Sequence, residues 1–287
     1  MSSACSERAS WIKCHFTNNI GASLICGARR TPHSLDTKNT MTAHVKLPVV
    51  PPRADRRFFT GLAVALALSV FAGFAPTYYL KGLYGTPVLS PFLHFHGMLF
   101  TSWILLFVTQ TTLVAARRTD LHRRLGIVGG LLAVAMLVVG TAVAVAAAKR
   151  GQAPGLPPPL EFLATPLGGL AIFAVLVAVG FYYRRNRDSH KRLMMLATIV
   201  TAGAALDRLL FPTGVLAFSG LPLNTFTSMG LTAVFLLACF LYDLRTRGHV
   251  HPAFLWGGIS VLAWAYATRE LIGSTATWLS FAGSLTR

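Results

Sequence analysis

Residues 91–118 read PFLHFHGMLFTSWILLFVTQTTLVAARR. No Asp, Glu, Lys or Arg occurs in this stretch before Arg117. A helix needs about 20 predominantly apolar residues to cross a bilayer core, and this run exceeds that. Its apolar residues are continuous rather than alternating, which favours a helix over a barrel strand. Within it, His96, Trp103, Gln110 and Arg117 stand seven residues apart. Seven residues nearly complete two helical turns, so the four form one slowly drifting stripe. His94 lies about 200° round the helix from His96 and cannot share that face. Polar groups in hydrocarbon turn toward the bundle interior. Trp103 and Gln110 either glue helices together there or line a polar path.

The rest of the chain repeats the apolar theme. Of its 287 residues 54% are hydrophobic and only 12% charged, against roughly 25% charged in an average soluble domain. Yet 26 Lys/Arg face 9 Asp/Glu, for a formal net charge of +17. A nucleic-acid domain would carry such an excess on a polar surface, so no nucleic-acid partner is expected. A polytopic membrane protein with basic inner loops accommodates both facts. The expected fold is therefore all-α: a transmembrane helix bundle of about seven spans over 58–80, 91–116, 125–148, 163–183, 193–218, 223–242 and 253–279. Arg269 and Glu270 interrupt the last span.

The loops differ sharply in charge. ARRTDLHRRLG after the second span carries four Arg, YRRNRDSHKRL after the fourth carries four Arg and one Lys, and DLRTRGHVHP after the sixth carries two Arg. The opposite connections hold few bases, and one of them, GQAPGLPPPLEF, is rich in Pro and Gly. Basic loops stay inside, so the N-terminus is expected in the cytoplasm, in a bacterial inner membrane whose anionic lipids are the natural partner surface. Residues 1–57 read as a basic, disordered tail ahead of the bundle at 58–287. Met41 is the expected true start. Cys5, Cys14 and Cys26 in the tail are not spaced as a Cys-x-x-Cys pair, and no metal site is expected.

Asp120-Leu-His122-Arg123-Arg124-Leu125 recurs as Asp188-Ser-His190-Lys191-Arg192-Leu193. The third inner loop, from Asp243 through His249 and His251, has the same ingredients in looser order. One helix followed by three similar hairpins is a repeat of the kind membrane proteins use. His122 and His190 thus occupy equivalent inner positions. Two histidines from different helices could ligate a haem iron, with haem b the simplest candidate, and His96 joins them as a cofactor-binding candidate. Arg117, Arg123, Arg124, Lys191 and Arg192 could hold haem propionates or lipid phosphate. His249 and His251 read as solvated.

Deeper in the membrane, Asp207 and Arg208 lie about 15 residues into the fifth span, past the midplane of a roughly 30 Å core. Charges there need partners. Arg269 is the expected partner of Asp207, and Glu270 of Arg208. On the third span, Gly126, Gly130, Ala133, Gly140 and Ala144 form a small-residue face suited to close packing.

Together, His96, Gln110, Arg117, the run 122–126 (His-Arg-Arg-Leu-Gly), the run 190–194 (His-Lys-Arg-Leu-Met) and Arg208 resemble the motifs of a set of uncharacterised bacterial multi-span membrane proteins. The resemblance spans residues 91–208 and implies architecture and candidate residues, but no reaction. The paired histidines are also faintly similar to those of b-type cytochrome membrane domains. Here the outer histidines share one helix, so an outer bis-histidine haem lacks an evident second ligand unless Met229 serves.

Some classes fall away. A retinal protein needs a lysine in its last helix, and no expected span contains lysine. No phosphate-binding loop, Gly-x-Ser-x-Gly elbow or His-Glu-x-x-His helix is present, and no catalytic set is legible. Three readings remain open: a membrane redox or haem-handling protein, a small-molecule transporter or lipid-interacting protein, and a non-enzymatic scaffold or assembly factor.

Overall fold

The computed structural model describes residues 52–151, 157–209 and 225–287. The expectations for Met41 and the tail cysteines, and those for 210–218 and 223–224 at the ends of two spans, lie outside these residues. All described residues belong to one compact unit, 46–287. Its regular structure is entirely helical among the described residues. Among the described residues, eight helices of more than ten residues order it: α1 Pro52–Phe74, α2 Pro91–Ala115, α3 Thr119–Arg150, α4 Ala164–Tyr182, α5 Arg187–Leu209, α6 Thr225–Arg247, α7 Pro252–Tyr266 and α8 Ala276–Thr286. Since α1 begins at Pro52, the last six residues assigned to the tail are helical.

Among the described residues, five segments are long and apolar enough to cross a membrane: Arg53–Tyr79, Pro91–Ala115, Thr119–Arg150, Pro159–Tyr182 and Met229–Arg247. They make the chain a multi-pass membrane protein by length and composition. Of the two remaining expected spans, 193–218 is described only as far as Leu209. Helix α5 opens on charged residues and is the most buried element, with Leu196, Ile199, Ala202 and Ala205 wholly enclosed. It packs against α1, α4, α6 and α7 and so needs no apolar exterior. Helix α7 runs on from Tyr266 into a π-helical turn, Ala267–Ile272, that carries Arg269 and Glu270. The helical path of the expected last span therefore passes through its charges and ends at 273–275, after which α8 is a separate helix.

Helix α3 shows the inside-out logic of a lipid-facing element. Gly129, Ala133, Met136, Gly140 and Ala144 are buried, whereas Ile127, Val128, Leu131, Val134 and Val138 are exposed. Small residues sit at the helix contacts and large apolar ones face outward, as packing in hydrocarbon requires. The close-packed face starts at Gly129, not Gly126, around which space is open. Helices α1 and α5 approach closely at Gly73, where any Cβ would run into the backbone carbonyl of Ala205.

Local signals set the helix starts. Ser90 accepts from the Leu93 amide at 3.3 Å with Pro91 behind it, and Asn186 accepts from the amides of Asp188 and Ser189 at 3.1 and 3.2 Å. His251 caps α7 by accepting from the Ala253 amide at 3.1 Å, ahead of Pro252. It is thus part of the scaffold rather than a solvated side chain.

Candidate functional site

The three basic connections meet at one end of the bundle. Asp55, in the first turn of α1, accepts from Lys191 of α5 at 2.5 Å and from the Tyr242 hydroxyl of α6 at 3.1 Å. Asp188 receives Lys191 at 2.9 Å and Arg247 at 2.8 Å. Arg192 is wholly buried, and its guanidinium forms two hydrogen bonds to the carboxylate of Asp243, which is also wholly buried. The rings of Phe59 and Phe254 lie 5.9 and 5.2 Å from the Arg192 guanidinium carbon. Asp243 additionally accepts from the His251 amide at 3.0 Å.

This network changes the reading of two candidates. Lys191 and Arg192 were expected at lipid phosphate or propionates. Arg192 has no access to either, because protein surrounds it, and Lys191 is held between two carboxylates. Arg117, Arg123 and Arg124 do remain exposed. Sequence reasoning missed Asp55 and Tyr242. It noticed Asp243 only as a repeat element, although its matching place in the third loop was the available signal.

Beside this network, His122 and His190 come together. Each is the fourth residue of its helix, α3 or α5, and the ring centroids are 6.2 Å apart with planes at 83°. The His190 Nδ1–H donates to the Gly180 carbonyl at 2.8 Å. A carbonyl can only accept, so this bond fixes the tautomer and leaves Nε2 with a free lone pair. The Nδ1 of His122 is buried without a hydrogen-bond partner among the described residues. The backbone of Gln110 also lies against the His122 ring.

The α2 stripe leads away from this pair. His96 Nδ1, Trp103 Nε1 and Gln110 Oε1 are all buried without partners among the described residues. Trp103 packs edge-on against Phe173 at 5.0 Å, and His96 lies 4.3 Å from Phe100. Such orphaned groups cost about 1–3 kcal/mol each unless water or a ligand meets them. With His122 they trace a line of unmet hydrogen-bonding capacity from one end of the bundle toward the other.

At the far end, Arg269 donates to Asp207 at 2.7 Å, so the charge on the π-helical turn and the charge inside α5 meet. Arg208 donates to the Ala204 carbonyl at 2.8 Å and covers the Phe74 ring at 4.8 Å, within electrostatic reach of His96. Glu270 shares the π-helical turn with Arg269.

Among the described residues, no three His, Cys, Asp or Glu side chains gather as a metal site. No family model matches the chain, and neither the curated proteins nor the solved structures yield a match.

Proposed function

We propose that this chain is a bacterial inner-membrane redox protein that holds a haem through His122 and His190, within a bundle of about seven spans whose N-terminus lies inside. The observation that carries this reading is the imidazole pair. Two rings from different helices meet edge to face, and one is oriented by the Gly180 carbonyl at 2.8 Å. Metal-ligating histidines are oriented in this way, with the second ring nitrogen donating to a carbonyl so that the first keeps its lone pair. The unpartnered, buried Nδ1 of His122 fits the same donor set. Bound there, a haem supplies one-electron transfer at the inner edge of the membrane. Gly180 holds the tautomer, and the neighbouring helices keep the rings out of bulk water. Arg123 and Arg124 are exposed next to His122 and suit the propionates.

The test is an absorption spectrum of the purified full-length protein. A Soret band that shifts on reduction and disappears in His122→Ala and His190→Ala is the expected result. A protein without that band, purified from haem-replete cells, would overturn the reading.

A second reading, small-molecule transport, is favoured by a different observation: the orphaned atoms of His96, Trp103 and Gln110 along α2. They suit an interior that admits water or a polar solute, with Arg208 and the Asp207–Arg269 pair at its far end. Substrate-dependent thermal stabilisation, lost in Gln110→Leu and Arg208→Leu, supports it. Unchanged uptake and stability in both variants sink it.

A further inference from the structure

A groove of about 530 Å³ opens between the first turns of α1 and the end of α2. Arg53, Arg56, Arg57 and Arg117 line it together with Thr60. Gly61 and Ala115 also border it and add little bulk.

The charge in this groove is uncompensated. No carboxylate lines it among the described residues. Asp55 belongs to the same helix but sits on the opposite face, where it serves Lys191 and Tyr242. Elsewhere at this end Lys191, Arg192 and Arg247 reach aspartates, whereas Arg123, Arg124, Arg184 and Arg185 are exposed at the surface. Arg118, adjacent to Arg117, lies 3.8 Å from Asp120.

Two further details point to a ligand. Arg117 is the only described residue other than glycine with a positive φ, at 62°. That left-handed conformation is unfavourable for a side-chain-bearing residue, and here it belongs to the turn that brings Arg117 to the groove. Thr60 is the second detail. Helical threonines here return their hydroxyl to the carbonyl four residues earlier, as Thr101, Thr109, Thr112, Thr198 and Thr246 do. The Thr60 Oγ1 is buried and has no partner among the described residues. Thr60 shares the lining of the groove with the four arginines, and its hydroxyl is a donor that lacks an acceptor among the described residues.

We propose that this groove binds a phosphate group, with Arg53, Arg56, Arg57 and Arg117 as charge partners and Thr60 as a neutral donor. Forked guanidinium groups match phosphate oxygens in geometry as well as charge. The site is separate from the histidine pair and does not depend on it. A phosphate at this position could come from a lipid headgroup in the inner leaflet or from a soluble phosphate ester.

The experiment is a thermal-unfolding titration of the full chain in neutral-detergent micelles. One arm adds phosphatidate to the micelles and the other adds inorganic pyrophosphate. A saturable rise in the midpoint is expected. Phosphatidate acting alone identifies a lipid headgroup, and an equal effect of pyrophosphate identifies a soluble ester; either supports the site. Arg56→Gln with Arg57→Gln should weaken apparent affinity by about tenfold or more, as expected for lost hydrogen bonds to a charged group. Arg184→Gln with Arg185→Gln removes the same charge from exposed positions outside the groove and should leave affinity within about twofold, since it deletes only screened surface attraction. Thr60→Val should weaken binding while Thr60→Ser retains it, and this pair decides the matter if the arginine variant misfolds. A non-saturable response, or equal weakening by the two arginine pairs, overturns the proposal and leaves only diffuse attraction of a basic surface.

Discussion

Arg192 and Asp243 lie 51 residues apart in sequence, and each side chain is wholly removed from solvent against the other. The pair joins α5 to α6, and through the His251 amide it also fixes the start of α7. Removing one partner strands a buried charge. Asp243→Asn should therefore destabilise the protein by about 3–5 kcal/mol, whereas Arg192→Met with Asp243→Leu should recover most of that loss. Chemical unfolding in detergent measures both. A single variant no less stable than the double variant would contradict this account.

Asp188 makes the acid side of stability measurable. Partial burial acts to raise its pKa, but the Lys191 hydrogen bond and the charges of Lys191, Arg247 and Arg192 prevail and bring it down to about 2. An unfolded aspartate titrates near about 3.9. The stabilisation is thus complete above that value and is lost as pH falls through it toward 2. Midpoints recorded between pH 5 and 2 should drop steeply in the wild type and less steeply in Asp188→Asn.

His251 acts in a higher window. Its Nδ1 accepts the Ala253 amide, so the cap requires the unprotonated nitrogen. Burial, then the charges of Arg192 and Arg247, hold its pKa below the ordinary value, against the opposing pull of Asp243 and Asp188. Its contribution is complete above about 6.5 and fades as pH falls below that. His251→Asn keeps a capping oxygen and should flatten the profile between pH 7 and 5. His251→Ala should cost about 1 kcal/mol at neutral pH through loss of the cap.

Gly73 tests the centre of the bundle. A methyl group there meets the backbone of Ala205, which cannot swing aside as a side chain could. Gly73→Ala should destabilise by about 1–3 kcal/mol as overpacking. Gly61→Ala, on the same helix with open space around it, should be close to neutral.

Several features were legible in the sequence for definite reasons. Uninterrupted apolar runs announce α2 and α3 because lipid-facing helices need an apolar exterior. Helix α5 is harder to read as a span because its neighbours, not lipid, cover it. The meeting of His122 and His190 follows from their equivalent places in two hairpins. The Asp207–Arg269 contact follows from the cost of a lone charge in hydrocarbon. The burial of Arg192 did not follow, because an arginine beside a lysine in a basic loop resembles every other loop arginine. Only the arrival of Asp243 and two aromatic rings from distant segments distinguishes it. Nor could the stripe on α2 disclose that three of its polar atoms lack partners, since satisfaction depends on what the facing helices present.

The aspartates at the basic end stitch four helices together, with Asp55 on α1, Asp188 on α5, Asp243 on α6 and His251 leading into α7. Away from that end, besides the pair of Asp207 with Arg269, the indole N–H groups of Trp264 and Trp278 donate to the carbonyls of Gly168 and Leu160 at 2.8 and 2.7 Å. Acid therefore acts on the aspartate joints and leaves the indole joints, which do not titrate, in place.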